Sequence, residues 1–269
     1  MKSVTRPGRA ATATLTGAAG FWLASALAGQ WAFLSYIVAF YGPSTFTGDF
    51  AAWARNGLVF KGYVAGDLAG NLTFATHALA AGVIAFGGAL QLIPWVRSRF
   101  PRFHRWNGRL FLVTAVGLSL SGFYLVWVRG SNPDLLGRIA TTTNGVLILS
   151  CAVMAWRTAV QRDFVVHRRW AMRLYLVSNA QWFTRVGFIL WIMINGGPVA
   201  LKAFHDVWQF GCYLLPLAVL ELYLRVRERG GDRAHFAMAG LLLALTLLMI
   251  GGMVGFSLFS LRIIKGEMA

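Results

Sequence analysis

The sequence predicts an all-α, polytopic membrane protein with seven transmembrane helices, and three observations predict it. Only 13% of its 269 residues are charged, against about 25% in an ordinary soluble domain. The apolar residues, 57% of the chain, gather in seven blocks of 18 to 26. Each block is long enough to cross a hydrocarbon layer about 30 Å thick at about 1.5 Å per residue. The charges fall almost entirely between the blocks. This pattern excludes a soluble enzyme, a disordered tail and a secreted disulfide scaffold. The chain reads as one transmembrane domain over 1–269, without low-complexity segments.

The first span, 18–41, follows Lys2, Arg6 and Arg9. Ala26-Leu27-Ala28 imitates a signal-peptidase site, but the apolar run continues through Trp31 to Tyr41, so a retained helix is expected. The outer loop, 42–72, carries Phe50, Trp53, Leu58, Phe60 and Tyr63 among glycines, as an interfacial helix or a lid would. Asn71-Leu72-Thr73 spells a glycosylation acceptor. The second span, 73–96, ends at Pro94; the third, fourth and fifth are expected at 110–128, 139–156 and 174–195. The sixth, 207–224, holds Pro216 at its middle, where a kink is predicted. The seventh, 236–261, carries Gly251-x-x-x-Gly255, a packing surface for a partner subunit or a second copy. Cys151 and Cys212 sit inside spans and read as buried small hydrophobes.

The net charge of +16 is a topology signal and does not point to nucleic acid. Seventeen of the 25 cations fall in four groups: the N-terminal three, Arg97 to Arg109, Arg157 to Arg173, and Arg225 to Arg233. Seven lie in the alternate loops and the C-terminus: Arg55, Lys61, Arg129, Arg138, Lys202, Arg262 and Lys265. This split predicts a cytoplasmic N-terminus and, with an odd number of crossings, an outer C-terminus.

A tandem repeat follows the lead helix. Trp95-Val96-Arg97 leads to His104-Arg105-Trp106-Asn107-Gly108-Arg109, and Trp156-Arg157 leads to His167-Arg168-Arg169-Trp170-Ala171-Met172-Arg173. Each copy predicts a helical hairpin whose Arg-rich turn opens a new helix with a His-Arg pair; a fainter third copy runs from Arg225 through His235 to Leu241. His77 with Gly87, Gly88 and Gln91, then Pro101, the two His-Arg turns, Met172-Arg173, Arg185 and Glu221 resemble the bacterial membrane-protein family called domain of unknown function 2306. The resemblance covers about residues 73–225. It implies a helical membrane fold and the bacterial inner membrane, and no agreed activity.

Arg185, about eleven residues into the fifth span, is the one cation expected near the bilayer centre, where an ionisable group needs a partner or a task. It shares a helical face with Ser178 and Gln181 by spacing. His77, Asn144 with Thr141, Thr142 and Thr143, and His205 with Asp206 are expected at outer depth, where they line an outward-facing polar cavity with Arg185 as its floor. Glu221 reads first as a local pair with Arg225, and otherwise as a tie to an arginine of another hairpin. Arg105, Arg109, Arg168, Arg169 and Arg173 form a cytoplasmic belt toward anionic lipid headgroups.

Three functional classes follow. The first is a redox component that binds b-type haem or a quinone-like ligand, with His77 and His205 as the outer axial pair and His104 and His167 as the inner one. No helix carries two histidines a dozen residues apart, which departs from common di-haem membrane cytochromes. The second is a carrier or receptor that holds a small polar or amphipathic ligand in the outer cavity. The third is a non-catalytic membrane partner subunit. No hydrolase triad, phosphate loop or Cys/His metal cluster is spelled out.

Overall fold

The structure is a computed structural model that describes residues 7–55, 61–265 and 267. Lys2, Arg6, Leu58, Phe60 and the side chain of Arg55 lie outside the described residues. The helices are α1 (Arg9–Thr47), α2 (Leu68–Leu92), α3 (Pro94–Arg99), α4 (Pro101–Phe123), α5 (Leu135–Val160), α6 (Phe164–Ser178), α7 (Ala180–Ile194), α8 (Leu201–Arg229) and α9 (Asp232–Lys265). Six crossings, made by α1, α2, α4 with its extension to Val128, α5, α8 and α9, are each long and apolar enough to span a membrane alone. The remaining one is α6 and α7 placed end to end. The protein is thus a polytopic helical membrane protein. Below, "basic end" means the end that carries the four cation groups.

Helix α1 packs on α2 and α9, α4 on α2 and α5, and α8 on α7, α6 and α5. The α6–α7 crossing runs inside this arrangement. Leu174, Tyr175, Leu176, Val177, Asn179, Ala180, Trp182 and Phe183 are all buried, so it is enclosed around most of its circumference.

That central crossing is broken at its middle. Helices α6 and α7 are 15 residues each, and Asn179 lies between them. Its side-chain amide donates to the carbonyl of Tyr175 at 2.7 Å. In an intact helix that carbonyl would accept the Asn179 backbone N–H, which donates instead to Leu176 at 3.2 Å. A side chain inserted into the ladder therefore breaks the helix, with no proline or glycine involved. Pro216, where a kink was predicted, lies within an uninterrupted α8.

At the end opposite the basic one, the chain after α1 folds back as a 3₁₀ turn, Phe50–Arg55. This short turn lies in the outer loop, where an interfacial helix or a lid was expected. Trp53 is 2% exposed. Its indole N–H donates to Ser44 Oγ at 2.6 Å. Its ring packs against Phe50, Phe74 and Tyr41 with centroids 4.8, 5.4 and 5.8 Å away.

Arg129 ties the loop before α2 to the next hairpin and lies 6.0 Å from the centroid of Phe74, the ring that packs on Trp53 of the lid. Tyr124–Val128 widens into a π turn, in which the Arg129 N–H reaches the Tyr124 carbonyl at 3.0 Å and aims the side chain at the loop before α2. The guanidinium donates to Asp67 Oδ2 at 2.9 Å, to the Lys61 carbonyl at 2.8 Å and to Asn71 Oδ1. Asp67 also caps α2 by accepting from the Gly70 N–H at 2.8 Å. Asn71 is buried and exchanges two hydrogen bonds with Val64. The Asn71-Leu72-Thr73 pattern is therefore a structural element, not an exposed acceptor.

The Gly251-x-x-x-Gly255 surface meets a helix of the same chain. A Cβ at Gly252 would meet the Val186 carbonyl of α7 at 2.5 Å, and one at Gly255 would meet Met193 Sδ at 2.5 Å. The stripe expected for a partner subunit is occupied by α7. Cys151 and Cys212 are buried and unbridged.

Candidate functional site

Beside the break lies a group of buried polar side chains without hydrogen-bond partners among the described residues. The buried face of α1 includes Ala26, Gly29, Gln30, Phe33 and Ile37, a 3.6-residue period that turns Gln30 into the bundle. Gln30 is 0% exposed, and neither amide atom has a partner. It lies against Tyr175, whose hydroxyl is also buried and unpartnered; the two groups face each other without reaching hydrogen-bond geometry. Ser178 Oγ, next to the break, and Asn144 Oδ1 on α5 are in the same condition. The His167 to Ala155 carbonyl bond, 2.9 Å, sets the antiparallel register of α5 and α6, and that register brings Ser178 level with Asn144. Each such group, buried without a partner, costs about 1–3 kcal/mol.

Arg185 borders this group. Its guanidinium carbon lies 5.0 Å from the centroid of the Phe33 ring, one turn beyond Gln30 on α1. It donates to the Gln181 carbonyl at 2.9 Å and to Gln181 Oε1 at 3.2 Å. Gln181 and Arg185 are thus brought together as the spacing implied, whereas the break puts Ser178 on the other half-helix. Arg185 is partly shielded and Gln181 is exposed on the flank of the bundle.

The other expected members of the outer cavity go elsewhere. His77 Nδ1 is 2.8 Å from Ser121 Oγ on α4. Ser121 Oγ is also 2.8 Å from its own helix's Gly117 carbonyl, so its one proton serves either contact. His205 stacks on Phe188 with centroids 5.4 Å apart and sits 3.9 Å from Asp206, which pairs with Lys202 at 2.8 Å. Helix α2 packs chiefly on α1, α4 and α6, and α8 chiefly on α7, α6 and α5. His77 on α2 and His205 on α8 thus engage different neighbours.

His104 and His167 share the basic end and lie within electrostatic reach of each other, with Arg97 and Arg105 alongside. His167 Nδ1 is engaged by the Ala155 carbonyl. Among the described residues, no three His, Cys, Asp or Glu side chains converge on a metal position.

The arginine belt divides into tied and open members. Arg173 grips Glu221 of α8 with two hydrogen bonds, 2.7 and 3.0 Å, and Arg169 pairs with Glu228. Glu221 therefore ties the second hairpin to α8 instead of pairing with Arg225. Both partners are only partly shielded. Glu221→Gln should cost about 1 kcal/mol in thermal unfolding, and Arg173→Gln should add little once Glu221 is gone. Additive losses in that double-mutant cycle would show that the two residues act separately. Arg105, Arg109 and Arg168 remain exposed.

No curated protein and no solved structure matches the chain. One family does: the predicted membrane proteins of DUF2306 match residues 74–224, more than half of the chain, including both His-Arg turns, the break at Asn179, Arg185 and Glu221. The chain belongs to this family.

Proposed function

We propose that the protein is a membrane carrier or receptor that takes a small polar or amphipathic ligand at the break in the fifth crossing. The observation that carries the reading is the set of unpartnered polar groups beside Asn179: Gln30, Tyr175, Ser178 and Asn144. Interrupted helices at mid-membrane expose main-chain groups and are tolerated where they line a cavity, a recurring design in secondary carriers. Amides and hydroxyls both donate and accept, and none of these residues carries a fixed charge. Arg185 adds a cation at one border. The set suits a small molecule with several hydrogen-bonding groups and an anionic or electron-rich end. The cation split and the family's bacterial character favour the inner membrane. The redox reading is weaker because His77 and His205 engage different neighbours.

The test is thermal stabilisation of the detergent-solubilised full chain by a panel of short-chain carboxylates, amino acids and polyols. At least one compound should raise the melting temperature, and Gln30→Leu and Arg185→Gln should each remove that shift while folding. No shift from any compound class, or a shift unchanged in both variants, would overturn the proposal.

A further inference from the structure

The two related turns hold the same arginine in the same posture, but only one of them supplies it with an anion. In the second copy, Arg173 lies over the ring of Trp170, one turn back, with its guanidinium carbon 4.7 Å from the centroid, and its donors engage Glu221. In the first copy, Arg109 lies over Trp106 in the same i, i+3 relation at 4.9 Å. Among the described residues no carboxylate pairs with it, and the first hairpin and its flanks, between Asp67 and Asp134, hold no acidic residue of their own. Arg102 and Arg105 share this face of α4 by i, i+3 and i, i+7 spacing, and both are exposed. Trp106 is 68% exposed, with Phe103 and Leu110 exposed beside it. The opposite face, with Asn107 and Phe111, packs into the bundle.

We infer that the open turn of α4 binds the phosphate of an anionic phospholipid headgroup, which takes the place that Glu221 occupies in the second copy. A guanidinium held over an indole ring still has five N–H donors, enough for two parallel hydrogen bonds to phosphate oxygens. The exposed apolar side chains around it place the anion at the edge of the hydrocarbon layer, where a lipid headgroup resides and a free ion does not. This site is separate from the break at Asn179 and does not depend on it.

The test is native mass spectrometry of the full chain offered equal amounts of phosphatidylglycerol and phosphatidylcholine. The wild type should retain phosphatidylglycerol selectively, and Arg109→Gln should reduce that retention about fivefold. Arg157→Gln removes an equally exposed cation at the same end and should leave retention unchanged. Trp106→Leu, at a position the fold leaves exposed, should reproduce the Arg109→Gln loss whether or not the arginine variant folds. Equal losses in Arg109→Gln and Arg157→Gln would reduce the effect to diffuse charge and overturn the site. So would no loss in Arg109→Gln and Trp106→Leu, or displacement of the lipid by inorganic phosphate.

Discussion

Arg129→Ala is expected to loosen the 61–71 segment and, through Phe74, the lid at the end opposite the basic one, and to lower stability by about 1–3 kcal/mol. The Arg129 side chain is 3% exposed, and it donates to the Lys61 carbonyl, Asp67 and Asn71. Its removal takes a donor from all three, of which Asn71 is the buried one. Lysine cannot substitute, because one ammonium cannot span that fan of acceptors. The readout is thermal unfolding combined with acrylamide quenching of Trp53; both should change together, since the lid carries that indole. An unchanged melting temperature would show that the lid is held by its aromatic packing alone.

The same contact makes a pH prediction. The hydrogen bond from Arg129, and after it the Gly70 N–H, hold the Asp67 carboxyl below its ordinary 3.8. A carboxyl depressed in the folded state contributes stability at neutral pH that is lost as pH falls below the unfolded value toward the folded one. The gap between wild type and Arg129→Ala should therefore narrow in acid below about pH 4.

Gly252→Leu should separate α9 from α7 and cost about 2–3 kcal/mol. Even a methyl group there would lie 2.5 Å from the Val186 carbonyl, a main-chain atom that cannot rotate aside. Gly251 supplies the control on the same helix, since its nearest neighbour would be Leu190 Cδ1 at 3.8 Å. Gly251→Ala should be neutral or slightly stabilising by helix propensity. A Gly252→Leu variant as stable as Gly251→Ala would show that the α7–α9 contact yields freely.

The crossings were legible because lipid demands long apolar blocks, and the hairpins because their basic turns repeat. What escaped sequence reading arises from contacts between distant residues. The break at Asn179 comes from one amide competing for one carbonyl, and its only local signal is a Ser178-Asn179 pair inside an apolar span. Gln30 had a readable signal, a polar residue on the periodic buried face of the first helix. Arg129 looked like one more loop cation, although Asp67 just before an apolar run is a helix-start signal that could have marked its partner. Glu221 left both pairings open because Arg225 is four residues away and Arg173 is 48. His77 and Arg185 were expected in one cavity because depth can be read from a sequence and azimuth between helices cannot.

The interrupted fifth crossing also has a mechanical consequence. A continuous helix transmits displacement along its axis like a strut; two half-helices joined at Asn179 do not. Helix α6 is clamped by α5 and α8, whereas α7 is carried chiefly by α9. Sliding or tilting of the α1–α9 pair would therefore be passed to α7 and absorbed at the joint, leaving α6 and the Arg173–Glu221 clamp stationary. A bend at that joint would have the polar groups around Asn179 at its pivot and α8, which packs on both half-helices, as the element that limits it.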